Sequence, residues 1–232
     1  MKGRLLTAWQ ASLDILFPPV CLGCRSYLVS HEEKENLICR ICFDGIRIYS
    51  NIFRPDPRTN LIAVGSYQNS ALRELIHSFK YNGFLGAKAP LEKLIIKWLN
   101  INRVLVPAFL LPNSCIIPIP LHKNRLRKRG FNQAELIAEI LSRLLRLPLE
   151  KDLLERVRNT KPQIEMKNEK ERSKNIKNSI RIKSGKEIIL SKYPHLILVD
   201  DVYTSGSTMK EAMRALRRSG AKNTTAFIIA KT

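Results

Sequence analysis

The sequence has no apolar run long enough to cross a bilayer as a helix. It also lacks a usable export signal. Lys2 and Arg4 precede a moderately apolar stretch, but Gln10 and Asp14 interrupt it and no small-residue cleavage site stands before the first cysteine. The expected compartment is therefore the cytoplasm, where thiols stay reduced and a disulfide framework is disfavoured. Acidic residues are scarce, 20 Asp and Glu against 40 Lys and Arg, giving a formal charge of +20. So large an excess points to a polyanionic partner, nucleic acid or a membrane surface, beyond any share owed to a generally basic proteome. Internal repeats are missing, which excludes a solenoid, and low complexity is confined to one lysine-rich segment.

What is present is enough to fold. Of 232 residues, 44% are apolar, sufficient for one large domain or a medium domain with a small one. Leu6, Trp9, Leu13, Leu16 and Phe17 fall on one face of a helix that Pro18 and Pro19 end. Then come Cys21-x-x-Cys24, fourteen residues, and Cys39-x-x-Cys42. Each pair places two thiolates on one tight turn, with Gly23 and Gly45 suited to the bends, and two turns close a tetrahedron. The spacing predicts a structural zinc ion held by Cys21, Cys24, Cys39 and Cys42, with no open position for substrate. His31 is surplus to that set and is expected on the surface. Cys115 is left for the core.

Residues 53–60, FRPDPRTN, read as a polar connection, and the domain boundary is placed here: 1–55 for the helix and the cysteine element, 56–232 for the main domain. Strands are expected at Leu61–Tyr67 and Ser114–Ile119, and helices over Leu72–Phe79 and Leu91–Trp98. After the second strand comes a loop, HKNRLRKRGFN, with five Lys or Arg between His122 and Arg129 and no acid. Asn132 caps the next helix, with Glu135 in capping-box position.

The densest signal is HLILVDDVYTSGST, His195 to Thr208. Leu196 to Val199 reads as a buried parallel strand, two acids follow, and small hydroxylated residues around one glycine lead into a helix bearing Met209, Ala212, Met213 and Leu216 on one face. Loop amides and the helix dipole favour an anion there, and carboxylates accept from a sugar diol. This stretch resembles the phosphoribosyl pyrophosphate (PRPP) motif of type I phosphoribosyltransferases. The resemblance implies that Asp200 and Asp201 hold ribose hydroxyls and that Thr204, Ser205, Gly206, Ser207 and Thr208 hold the 5-phosphate, with magnesium accompanying PRPP.

IPIPLHKNRLRKRGFNQAELIAE resembles the ComF family of competence-associated, phosphoribosyltransferase-like proteins, which joins a four-cysteine zinc element to this segment and to the VDD-Y-TSGST motif in the same order. The resemblance covers nearly the whole chain. It implies an α/β fold, a parallel sheet flanked by helices and preceded by a small zinc ribbon. It assigns Pro120, Leu121, Arg125, Arg129 and Gly130 to a pyrophosphate loop. It also assigns Thr160, Gln163, Arg172 and Asn175 to a hood. That hood lies in a basic stretch, about 156–183, with ten Lys or Arg against three Glu. Such a segment either closes over substrate as a catalytic lid or is a disordered basic linker.

Two function classes follow. One is a phosphoribosyltransferase acting on a base or amine, for which no acceptor pocket is named by any stretch. The other is a single-stranded DNA-binding protein on the same fold. Lys123, Arg125, Arg127, Lys128, Arg129, Arg158 and Lys161 would contact phosphates there, and Phe131 and Tyr203 would serve as stacking surfaces. The family resemblance adds DNA uptake in natural transformation, with a DNA-uptake helicase or recombination proteins as partners. The reading adopted is the second, with PRPP as a ligand and catalysis left open.

Overall fold

The computed structural model describes residues 18–57, 59–81, 88–109, 113–158 and 176–232. The expected N-terminal helix lies outside them, as do Thr160, Lys161, Gln163, Arg172 and Asn175.

The cysteine segment is built from short pieces. A bridge pairs Val20 with Tyr27 around the first knuckle. Helix α1 (His31–Asn36) starts on a complete capping box between Ser30 and Glu33. Helix α2 (Arg40–Asp44) is capped by Cys39, whose sulfur accepts from the Cys42 amide. Gly45 has an ordinary φ of −69°. The left-handed positions here are instead Arg25 and Leu37.

Residues 53–60 are not the expected irregular connection. β1 (Ile52–Asp56) and β2 (Thr59–Ser66) form an antiparallel pair running from Ile52–Ile62 to Asp56–Thr59, with an irregularity that shifts the register between Phe53 and Asp56. The prolines disguised the strand, yet β1 lies at the sheet edge, where a missing donor is tolerated. The main sheet runs β1–β2–β7–β6–β3, where β3 is Ser114–Pro118, β6 His195–Tyr203 and β7 Asn223–Lys231; all pairings but the first are parallel.

Between β2 and β3 the chain forms α3 (Ser70–Tyr81), α4 (Lys88–Ile101) and the short α5 (Val106–Phe109). After β3 come α6 (Lys123–Arg129) and α7 (Gln133–Leu145). A separate antiparallel pair, β4 (Leu154–Arg156) and β5 (Ile180–Ile182), flanks the unassigned part of the expected hood. α8 (Ile188–Lys192) precedes β6, and α9 (Ser207–Arg218) joins β6 to β7.

Strand alternation sorts two cores. Ile62, Val64, Ile116, Ile197, Val199 and Phe227 pack against α3, α4 and α7 on one face. Leu61, Ala63, Ile117, Leu196, Leu198 and Ile228 pack against Met209, Ala212, Met213 and Leu216 of α9 on the other, where Cys115 is also fully buried. Covered on both faces, these strands read as unbroken apolar runs. The cysteine segment joins the first core through Cys21, Leu28, Ile38 and Ile46. At the amino ends of the strands, buried His195 is hydrogen-bonded to Ser114 (2.8 Å) and Thr225 (2.9 Å), tying β3, β6 and β7 together, and burial holds its pKa below the ordinary value. Among the described residues no helix is long and apolar enough to cross a membrane.

Candidate functional site

In open parallel sheets, ligands bind beyond the carboxyl ends of the strands. Here β6 ends in Asp200, Asp201, Val202 and Tyr203, and the chain turns through Thr204 and Ser205 into α9. Gly206 makes the turn with φ 70°, a left-handed conformation that favours glycine. It is also pressed onto Tyr203, since a Cβ at this position would lie inside the phenol ring. Ser205 and Ser207 share a hydrogen bond of 2.8 Å. Asp200, Thr204, Gly206, Ser207 and Thr208 line one narrow cleft. No side chain caps α9 from Gly206, so the cleft adjoins a helix N-terminus of the kind that receives an anion.

The two acids part company. A strand sends successive side chains to opposite faces. Asp201, 8% exposed, meets Lys80 from the last turn of α3, Nζ to Oδ2 2.9 Å. Burial works to lower the Lys80 pKa, but the Asp201 carboxylate outweighs it and holds the ammonium charged. Asp200 borders the cleft, and its Oδ1 accepts from the Asp201 amide at 2.9 Å. Burial, reinforced by the Asp201 charge, pushes the Asp200 carboxyl up to about 7, against the pull of that amide, Lys80 and Arg156. Arg156 reaches the site from β4. Burial first, then the charge of Arg125, lower its pKa to about 10, which leaves it cationic at neutral pH. Lys80 and Arg156 thus come from two separate elements into the field of Asp200, and Arg125 of a third element stands near enough to Arg156 to repel it.

The basic stretch after β3 is a helix rather than the expected loop. His122 caps α6 by accepting from the Asn124 amide (3.2 Å), Asn124 in turn accepts from Arg127 (2.8 Å), and Gly130 closes it with φ 79°. Winding sorts its charges. Lys123, Arg127 and Lys128 are exposed, whereas Arg125 and Arg129 are partly buried, Arg129 donating to Gln133 at 3.1 Å. Pro120 and Leu121 are half-buried at the start of this turn. Asn132 caps α7 as expected, but Glu135 does not complete the box; it pairs with Lys151 at 2.9 Å. Arg158 is exposed and donates to the Lys177 carbonyl at 2.9 Å.

One expected stacking surface is withdrawn: Tyr203 is 6% exposed beneath Gly206 and belongs to the core. Phe131 is half-buried and packs on Phe79 with centroids 5.5 Å apart. Sequence reading passed over Lys80 and Arg156, because nothing local distinguishes one lysine at a helix end or one arginine in a short strand from surface charge.

The four cysteine sulfurs lie within 4.8 Å of one another. Zinc–sulfur bonds of about 2.3 Å imply tetrahedral edges of about 3.8 Å, and Cys24 and Cys39 stand 3.8 Å apart. Amides of Gly23 and Cys39 donate to Cys21 sulfur, both at 3.3 Å. A Cβ on Gly23 would sit 2.9 Å from the Cys42 sulfur, so the knuckle closes only around glycine. The Ser26 hydroxyl and amide lower the Cys24 thiol to about 6. This donor set fits a dication that draws off thiol protons. His31 pairs with Glu35 on the surface and takes no part.

Comparison with known proteins agrees with this geometry. The sequence model of the phosphoribosyl transferase domain matches residues 132–231. Competence protein F of Haemophilus influenzae is 28% identical over 217 residues, 92% of this chain and 90% of that protein. DNA utilization protein YhgH of Shigella flexneri is 31% identical over 180 residues, 77% of this chain and 75% of the relative. Competence protein ComFC of Bacillus subtilis is 29% identical over 91% of this chain and 84% of its own length. With a parallel sheet, a hydroxylated turn at its carboxyl edge and a four-cysteine element ahead of it, the chain belongs to the ComF family of phosphoribosyltransferase-like proteins.

Proposed function

We propose that this chain serves DNA uptake in natural transformation, binding single-stranded DNA and PRPP on a phosphoribosyltransferase fold and helping to hand imported strands to helicase or recombination proteins. The carrying observation is one cleft at the end of β6 lined by residues of the Thr204–Thr208 turn and by Asp200, with Asp200 in the field of Lys80 and Arg156, and with Arg125 beside Arg156. Amides and hydroxyls suit the 5-phosphate, carboxylates the ribose hydroxyls, and the cations the pyrophosphate. Magnesium would accompany PRPP and offset its pyrophosphate charge. A net charge of +20, with Lys123, Arg127 and Lys128 exposed on one short helix, suits a strand of phosphates. The names of the relatives, competence and DNA utilization, support the cellular role. A zinc ion in the cysteine site would be structural, since four thiolates leave no open position.

Equilibrium titration tests the ligand assignment. The double variant Asp200→Ala, Asp201→Ala should lose PRPP–magnesium binding and keep DNA binding. Undiminished PRPP affinity would overturn the site.

The cation cluster also favours a second reading, phosphoribosyl transfer to a base or amine, because departing pyrophosphate needs fixed positive charge in the transition state. Release of pyrophosphate from PRPP on addition of a base or amine, abolished in Arg156→Ala, is its measure.

A further inference from the structure

A second opening lies behind the phosphate turn. Lys177, Ser205, Ser207, Lys210, Glu211 and Arg214 border a groove of about 370 Å³ between α9 and the turn that leads into β5. Ser207, Lys210, Glu211 and Arg214 recur at i, i+3, i+4 and i+7, so they form one face of α9. Ser207 borders both this groove and the cleft that Asp200 lines, and the two openings adjoin there.

The charges in the groove divide by role. Glu211 is 7% exposed and already engaged. It accepts from the Asn178 amide at 2.7 Å and takes Arg214 on both oxygens, at 2.9 and 2.8 Å. Arg214 also donates to Asn178 Oδ1 at 2.8 Å. This cluster holds the turn against α9 and neutralises the one acid of the groove. Lys177 and Lys210 are exposed, and neither is in an ion pair among the described residues. Lys210 stands about 4.5 Å along the helix axis from Ser207, and Arg214 about 10.5 Å, at 1.5 Å per residue.

The remaining wall is nearly all polar. Ile176 is its one apolar residue and no aromatic ring borders it, so it offers a base no stacking face. The volume far exceeds that of one phosphate. Cations set in a row along a polar groove, opening from a turn suited to a phosphomonoester, match a nucleic-acid backbone with a terminal phosphate. We propose that single-stranded DNA places its end phosphate in the Thr204–Thr208 turn and runs its next phosphodiesters along this groove, over Lys210 and Lys177. The inference rests on the DNA-binding reading and adds to it the path of the strand and its dependence on a phosphorylated end.

Fluorescence anisotropy with the full chain tests it, using short oligonucleotides bearing a 5′-phosphate, a 3′-phosphate or neither. One phosphorylated end should bind more tightly than the unphosphorylated strand; equal affinity for all three would overturn the proposal. Each lost phosphate contact on a single strand lowers the slope of log affinity against log salt by about 0.7. Lys177→Ala with Lys210→Ala should therefore lower it by about 1.4, while Lys222→Ala, an exposed charge beyond the far end of α9, leaves it unchanged. If Lys222→Ala has the same effect per charge as the groove variants, or if the groove variants have none, the path is wrong while the DNA reading stands. If the wild-type chain binds no oligonucleotide, both fail.

Discussion

Asp200 and Asp201 are neighbours in sequence and differ in every physical respect that matters. Asp201 has a lysine at 2.9 Å; Asp200 borders the cleft with its carboxyl raised to about 7. For an acid with folded pKa about 7 and an ordinary value of 3.8, the folded chain holds the proton more firmly than the unfolded one. That contribution to stability is complete below pH 4 and is lost as pH rises through 7. Asp200→Asn should thus raise the urea midpoint of the ligand-free protein at pH 8 and change it little at pH 4. An equal shift at both pH values would assign the effect to packing instead. The acids and the hydroxylated turn were legible in sequence because one local motif carries them. Lys80 and Arg156 were not, because they reach the site only once α3 and β4 have packed. Gly206 was legible as part of a motif but not for its reason: alanine there would carry about 1–2 kcal/mol of left-handed strain before its methyl group met Tyr203.

Among the elements, legibility followed burial. The central strands and α9 are covered on their apolar faces, and their periodicity announced them. β1 and α6 face solvent at the margins, where prolines and a run of cations hid them. A cap decided α6: with His122 accepting from Asn124, the basic run winds, and only Arg125 and Arg129 are drawn inward. The cysteine element was legible from spacing alone, but its attachment was not. Lys93 reaches Glu32 at 2.8 Å and Lys97 reaches Asp44 at 3.7 Å, both from α4, in addition to the shared core. Metal analysis of purified protein should give about one zinc per chain. Cys39→Ser should cost several kcal/mol, lowering the Tm of the whole chain by about 10 °C or more. A metal-free protein with an unchanged Tm would refute a structural role.

At the scale of the molecule, charge dominates. Forty cations against twenty acids repel one another in the folded state more than in the expanded one. Salt should relieve this, because about 0.1 M screens exposed charges beyond about 10 Å. The Tm of the ligand-free protein should therefore rise as sodium chloride goes from 20 to 300 mM, and short polyphosphate should raise it at much lower concentration. A Tm independent of salt would show that the excess charge is dispersed too widely to matter.

Helix α3 joins the two ends of this arrangement. Its beginning meets the cysteine segment: Asn69, just before it, donates to the Gly45 carbonyl at 3.3 Å and Glu74 stands 3.9 Å from Arg25, while its last turn presents Lys80 to Asp201. Twelve residues make a rod of about 18 Å. A tilt of such a rod at the end that meets the cysteine segment would swing the ammonium at the other tip off its carboxylate. If zinc and a sugar phosphate bind as proposed, stripping the metal would weaken the hold on a ligand that no cysteine touches.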